Sequence, residues 1–146
     1  MAQAVAEGAQ QVHEVRATLL HASQAGPEHL LQASGFVFAT PETLASIAGL
    51  MKDFFDRSYY PVLGQLNARP YAALICAGSD GTNAAKQLER IATGWRLKRI
   101  APTHIVCTHA QSTEAILANK SIPDHELEHC RELGESFASG LAMGVF

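Results

Sequence analysis

The sequence is poor in cysteine, in excess positive charge and in long apolar runs. Its three cysteines, Cys76, Cys107 and Cys130, are scattered and form no C-x-x-C pair. That argues against a disulfide framework or a cysteine zinc cluster and points to a reduced, cytoplasmic setting. Lys and Arg number 11 against 14 Asp and Glu, giving a formal net charge of -3. No basic field exists to hold a polyanion, so nucleic acid is not an expected partner. No apolar run approaches the roughly 20 residues of a membrane span, so no membrane association is expected. The first seven residues, from Met1 to Glu7, lack the basic start and apolar middle of a signal peptide. What is present is ordinary globular composition, 47% hydrophobic and 17% charged over 146 residues. A chain of that length forms one domain and buries about 70% of its unfolded surface.

Apolar strand-like runs alternate with helix-like stretches, the mark of a parallel sheet with helices on its faces. Residues 1–11, rich in Ala, Gln and Glu, read as a helix. Residues 12–21, with Val12, Val15, Leu19 and Leu20, read as a strand. Pro27 to Gln32 reads as a short helix, and Gly35 to Ala39 as a short buried strand. Thr40 and Pro41 predict a helix start, since Thr can cap backbone N–H groups and Pro suits the first helical position. That helix would carry Leu44, Ile47, Ala48, Leu50, Met51, Phe54 and Phe55 and end near Asp56–Arg57. Residues 58–69 read as a loop, Tyr71 to Ala77 as a buried strand and Gly78 to Gly81 as a tight turn. A helix follows from Thr82 to Thr93, with Gly94 suited to its left-handed end. His104 to Thr108 is the last strand and Pro123 to Leu141 the last helix.

Particular stretches resemble a known family. Phe38-Ala39-Thr40-Pro41-Glu42-Thr43-Leu44, followed by Met51-Lys52-Asp53-Phe54-Phe55-Asp56-Arg57, is similar to flavodoxin-type NAD(P)H-dependent FMN (quinone) reductases. Arg69 to Ala72, Cys76 to Gly81, Glu89 to Trp95 and the ending Leu133 to Gly140 match as well. The resemblance implies an α/β flavodoxin-like three-layer sandwich, residues 1–146 forming one domain. It implies FMN at the switch point of a parallel sheet in order 2-1-3-4-5, with NAD(P)H as co-substrate. In the family a strand and a Ser/Thr-Gly-Asn-Thr-type phosphate loop precede the helix aligned with Ala2 to Ala9. The sequence as given therefore reads as N-terminally incomplete, with four strands and weak FMN retention. Without the first strand two sheet edges lie open. The strand at 12–21 could close up beside that at 35–39, could detach and leave the last three strands, or a partner chain could pair across the gap. A homodimer is expected, with Tyr59 and Tyr60 near the contact.

The resemblance places FMN against two loops. Thr40, Pro41, Glu42, Thr43 and Leu44 form the first, where backbone N–H groups could face a flavin ring; a plain helix cap reads equally well. Ala77, Gly78, Ser79, Asp80 and Gly81 form the second, whose glycines allow close approach of a ligand; an ordinary strand-to-helix turn is the alternative. No catalytic acid or base is named, because the cofactor performs the hydride chemistry. His125-Glu126-Leu127-Glu128-His129 matches H-E-x-x-H, but it lies on a charged helix face with no third ligand, so no metal is expected. The rival to a redox protein is a non-enzymatic flavodoxin-like remnant that has lost FMN and serves in binding or assembly.

Overall fold

A computed structural model describes residues 1–146. Chain contacts divide them into two compact units, residues 1–20 with 120–146, and residues 21–119.

The larger unit is built on a mostly parallel sheet. Its strands are β1 (Phe36–Thr43), β2 (Ser46–Ile47), β3 (Pro70–Ala77), β4 (Lys98–Arg99) and β5 (His104–Cys107). β3 is central: β1 lies parallel to it on one side, and β4 and β5 lie parallel to it on the other, at its start and end. The apolar run Tyr71 to Ile75 is buried throughout, as a strand covered on both faces requires. β1 alternates, with Phe36, Phe38 and Thr40 buried, Val37 and Ala39 half-exposed and Pro41 exposed. Helices α2 (Pro27–Gln32), α3 (Gly49–Tyr59) and α4 (Thr82–Gly94) belong to this unit, with the short α5 (Thr113–Leu117).

An aromatic cluster fills one side of the sheet. The Trp95 ring lies 5.1 Å from Phe55, 6.2 Å from Phe54 and 6.5 Å from Phe38 in edge-on geometry. Such pairs add to simple burial. The Lys52 to Arg57 motif serves as a clasp. Lys52 pairs with Asp56 and Arg57 with Asp53, each four residues apart. The Arg57 guanidinium also donates to the carbonyls of Ala22 and Ala25 and lies over the Phe54 ring. Arg69 does the same for α2, donating to the carbonyls of Leu30, Leu31 and Ala33.

The smaller unit is a helix pair, α1 (Ala2–Ala9) and α6 (Asp124–Ala142). Gly8 and Gly134 let the two backbones touch. A Cβ on Gly8 would collide with the Arg131 carbonyl, and one on Gly134 with that of Val5. Cys130 is fully buried in the pair, and Glu7 pairs with Arg131 at 3.5 Å.

Three expectations fail. Residues 12–21 form no strand; the segment is turn and irregular chain with Leu19 54% exposed. Its apolar residues fall at spacings of three, four and one, so no face repeats every second residue. The parallel core is thus made of the last three expected strands, the second of the three arrangements considered. No helix starts at Thr40. The chain stays extended to Thr43, reverses, and returns as β2 before α3 begins at Gly49. The left-handed residue after α4 is Arg96, with φ 56°, not Gly94. β4 and α5 were not expected, and the sheet has five strands, two of them only two residues long.

Candidate functional site

Parallel strands end side by side. Pro41 of β1 is in register with Cys76 of β3, and Ala77 of β3 with Cys107 of β5. Two chain reversals, around residues 41–45 and 77–81, and the irregular segment 108–110 therefore emerge at one end of the sheet. The carboxyl ends of parallel strands are where such sheets hold ligands.

The first reversal is a two-residue hairpin. Thr43 pairs with Ser46, and Leu44 and Ala45 between them have φ of 51° and 58°. Positive φ at both central residues is the turn that suits strand twist, and asparagine or glycine is its usual occupant. Here the tip carries a leucine that is 97% exposed. Thr40 is buried and inward. Its hydroxyl donates to the Pro41 carbonyl and accepts from the Ala48 N–H at 3.1 Å, which tethers the start of α3.

Glu42 joins the two expected loops. Its carboxylate accepts from the backbone N–H of Gly81 and of Ala84, both at 3.1 Å. These are orphan donors at the start of α4, whose N-cap, Gly81, has no side chain to offer. The hairpin is laced to α4 further along. Asn83 donates to the Ala45 carbonyl at 2.5 Å, and the Gln87 side-chain carbonyl takes the Ser46 hydroxyl at 2.7 Å and the Ile47 N–H at 2.9 Å.

The second reversal is narrow. Gly81 has φ 82°, and a Cβ there would strike Ile105 and Ala77 side chains. Ala77 is buried, while Ser79 and Asp80 are exposed. Asp80 accepts from the Thr82 hydroxyl at 2.6 Å. The backbone N–H groups of Gly78, Ser79 and Asp80 donate to no group of the chain.

The third segment, 108–110, was not expected as part of a site. Thr108 donates through its N–H and its hydroxyl to the Ala77 carbonyl, at 2.8 and 3.2 Å. The Cys107 thiol donates to the Asp80 carbonyl at 3.4 Å, and the Ala110 carbonyl lies beside Gly78. His109 has φ 54°. Nothing local in the sequence marks this segment; only its place at the end of a third parallel strand does.

Other candidates fall elsewhere. His125 and His129 lie on α6, 79% and 56% exposed by side chain, beside Glu126 and Glu132. No three His, Cys, Asp or Glu residues gather as a metal group would require. Tyr59 and Tyr60 stack edge-on at 5.1 Å at the end of α3, with Tyr60 79% exposed. No helix is long and apolar enough to cross a membrane.

Comparison with known proteins identifies the family and the fold. The family model of NADPH-dependent FMN reductases matches residues 21–112. A flavodoxin of Aquifex aeolicus is 25% identical over 150 residues, covering 99% of this chain and 80% of its own. An NAD(P)H-dependent FMN reductase of Schizosaccharomyces pombe is 28% identical over 103 residues, 70% of this chain and 47% of its own, so this chain matches less than half of that protein. A flavodoxin from the domain Archaea superposes with a TM-score of 0.73 at 15% identity, over 94% of this chain and 85% of that one. A WrbA-like protein from Agrobacterium tumefaciens does so with 0.68 at 19% identity, over 97% and 87%. These superpositions show a flavodoxin-like α/β fold. The matched span 21–112 contains all three loop segments and the sheet that presents them, and on that match the chain belongs to the NADPH-dependent FMN reductase family.

Proposed function

We propose that this chain is a flavin-dependent redox protein that engages the isoalloxazine ring of FMN with the three loop segments and holds its phosphate weakly. The observation that carries the reading is Glu42, which binds the 40–45 and 77–81 loops into one surface. The residues present fit a ring. The N–H groups of Gly78, Ser79 and Asp80 are uncommitted donors for ring oxygens and nitrogens. The exposed Leu44 offers an apolar side chain to a ring face. They fit a phosphate less well. The helix N-terminus beside both loops already holds the Glu42 carboxylate, which a phosphate would have to displace.

When bound, FMN supplies hydride exchange between NAD(P)H and a quinone or free-flavin acceptor. The chain's own part is to bind and orient. Glu42 fixes the loop spacing, Thr40 and Gln87 anchor the hairpin, and the backbone donors set the ring's edge. A cytoplasmic setting suits the three cysteines, none of which is in a disulfide.

As partner we put forward a second copy of the chain, with neither nucleic acid nor membrane. The outer edge of β1 from Phe36 to Pro41 has no strand beside it, since β2 reaches only Glu42 and Thr43. Unpaired edges invite pairing. A dimer in sedimentation at micromolar protein supports this; a monomer at that concentration defeats it.

Fluorescence titration with FMN and with riboflavin tests the flavin site. A ring-only site binds the two within about threefold. A phosphate cradle would add two or more charge-assisted bonds and favour FMN by about a hundredfold or more. Absence of binding by either would remove the flavin reading and leave the non-enzymatic alternative.

A further inference from the structure

Five residues other than glycine hold a positive φ: Leu44, Ala45, Ala68, Arg96 and His109. Ala68 and Arg96 belong together, the Ala68 N–H donating to the Arg96 carbonyl at 2.8 Å. The other three lie on the loops at the carboxyl end of the sheet. Left-handed backbone is costly for a residue with a side chain, and such residues gather at functional sites. Leu44 and Ala45 are accounted for by the hairpin turn they make. His109, with φ 54°, sits in no hairpin. Its neighbours fix its place. Thr108 bonds the Ala77 carbonyl twice, and the Ala110 carbonyl lies beside Gly78. His109 is thus bracketed by two residues that lie against the 77–78 backbone, and it is exposed.

Elimination singles out the same residue. The ionisable side chains on the three loop segments are Glu42, Asp80 and His109, with Cys107 just before the last segment. The Glu42 carboxylate is spent on the N–H groups of Gly81 and Ala84. Asp80 accepts from the Thr82 hydroxyl at 2.6 Å. The Cys107 thiol donates to the Asp80 carbonyl at 3.4 Å. The His109 imidazole alone bonds no group of the chain. Imidazole is also the side chain best suited to carry and release a proton near neutral pH.

The reaction put forward above calls for such a group. Reducing a quinone to its hydroquinone takes up two electrons and two protons. A hydride brings both electrons and one of the protons, so the second O–H bond needs a proton from elsewhere. We propose that His109 is a catalytic acid that gives this proton to a quinone acceptor reduced at the site. An imidazolium N–H bond breaks as the second O–H bond of the hydroquinone forms. The neutral imidazole left behind regains its proton from solvent, which its exposure permits. The role rests on the flavin reading, since the hydride comes from NAD(P)H by way of the bound flavin. It also predicts selectivity: acceptors that need the proton depend on His109, and acceptors that take electrons alone do not.

The test substitutes His109→Asn in the full chain saturated with FMN. Asparagine tolerates a φ of 54° and keeps an N–H donor, so the turn persists while the proton source is lost. NADPH-driven reduction of menadione, a quinone, is compared with that of ferricyanide, which takes electrons without a proton. The ratio of the menadione rate to the ferricyanide rate is expected to fall about a hundredfold or more in the variant. A loss shared equally by both acceptors would mark a merely structural role and overturn the proposal. A second readout needs no turnover. The imidazole resonances of His109 are expected to move when menadione is added to the FMN-loaded parent chain, and unmoved resonances would overturn the proposal. The same samples separate the two readings. A parent chain that binds no FMN and reduces neither acceptor overturns the flavin reading and this role with it. Ferricyanide reduction with an unchanged ratio in the variant overturns the role of His109 alone.

Discussion

Replacing Glu42 with alanine removes both carboxylate bonds to the start of α4. Gly81 and Ala84 then lose their acceptors, and Gly81 brings no side chain to replace them. Loss of a helix N-cap costs about 0.5–2 kcal/mol. Two bonds to a half-buried carboxylate at the helix's positive end place this case near the top of that range, about 2 kcal/mol. For a chain of this size that is about 4–8 °C in Tm. Glu42→Gln keeps one neutral acceptor and should lose about half as much. The readouts are urea unfolding and the amide resonances of Gly81 and Ala84, which should move upfield as their bonds are lost. Flavin affinity should fall with Glu42→Ala, because the two loops are no longer joined. Stability within about 0.5 kcal/mol of the parent, with both amides unmoved, would show that Glu42 joins nothing.

Other expectations are independent of that one. Leu44→Asn/Ala45→Gly supplies the residues its turn prefers and should stabilise the chain by about 1 kcal/mol while weakening flavin binding, as expected if Leu44 covers the ring. Lower stability, or unchanged binding, would refute the strain or the contact respectively. Gly134→Ala forces a methyl group into the Val5 carbonyl and should destabilise the α1–α6 pair by about 2 kcal/mol or more in denaturant unfolding; a change under about 0.5 kcal/mol would mean the helices do not touch. Burial holds the Cys130 thiol above its ordinary pKa, and burial followed by Glu89 does the same for the Tyr71 phenol. For both acids the neutral form is the one the fold accommodates. Their contribution is therefore complete below the unfolded thiol value of about 8.5 and is lost as pH rises through the folded values. Unfolding free energy should fall above about pH 9, less steeply in Cys130→Ala. Equal slopes in parent and variant would discard the Cys130 part.

Much of the fold can be read locally. The run Tyr71 to Ala77 is apolar on both faces, so no periodicity is needed to place it as a central strand. α4 and α6 carry clear helical stripes. The hairpin is different. Leu44, Ile47 and Ala48 fall at helical spacing, and Leu44-Ala45 lacks the Asn-Gly signature of a tight turn. What makes them a hairpin is the bond from Ile47 to Gln87, forty residues away. The same long reach decides the candidate site. Thr40, taken for a cap at the head of its own helix, tethers Ala48 eight residues on, and Glu42 caps a helix that starts forty residues later. The 108–110 segment has no motif; it belongs to the site only because β5 lies beside β3. Segment 12–21 misleads through composition, since its apolar residues lack a strand's alternation.

The most direct test is amide NMR of the full chain titrated with FMN, and separately with riboflavin. A ring site made by the three loop segments predicts shifts at Thr43 to Ala45, Gly78 to Asp80 and Thr108 to Ala110, in the same places and to similar extents for both ligands. Shifts confined to other parts of the chain, or no shifts with either flavin, would contradict it.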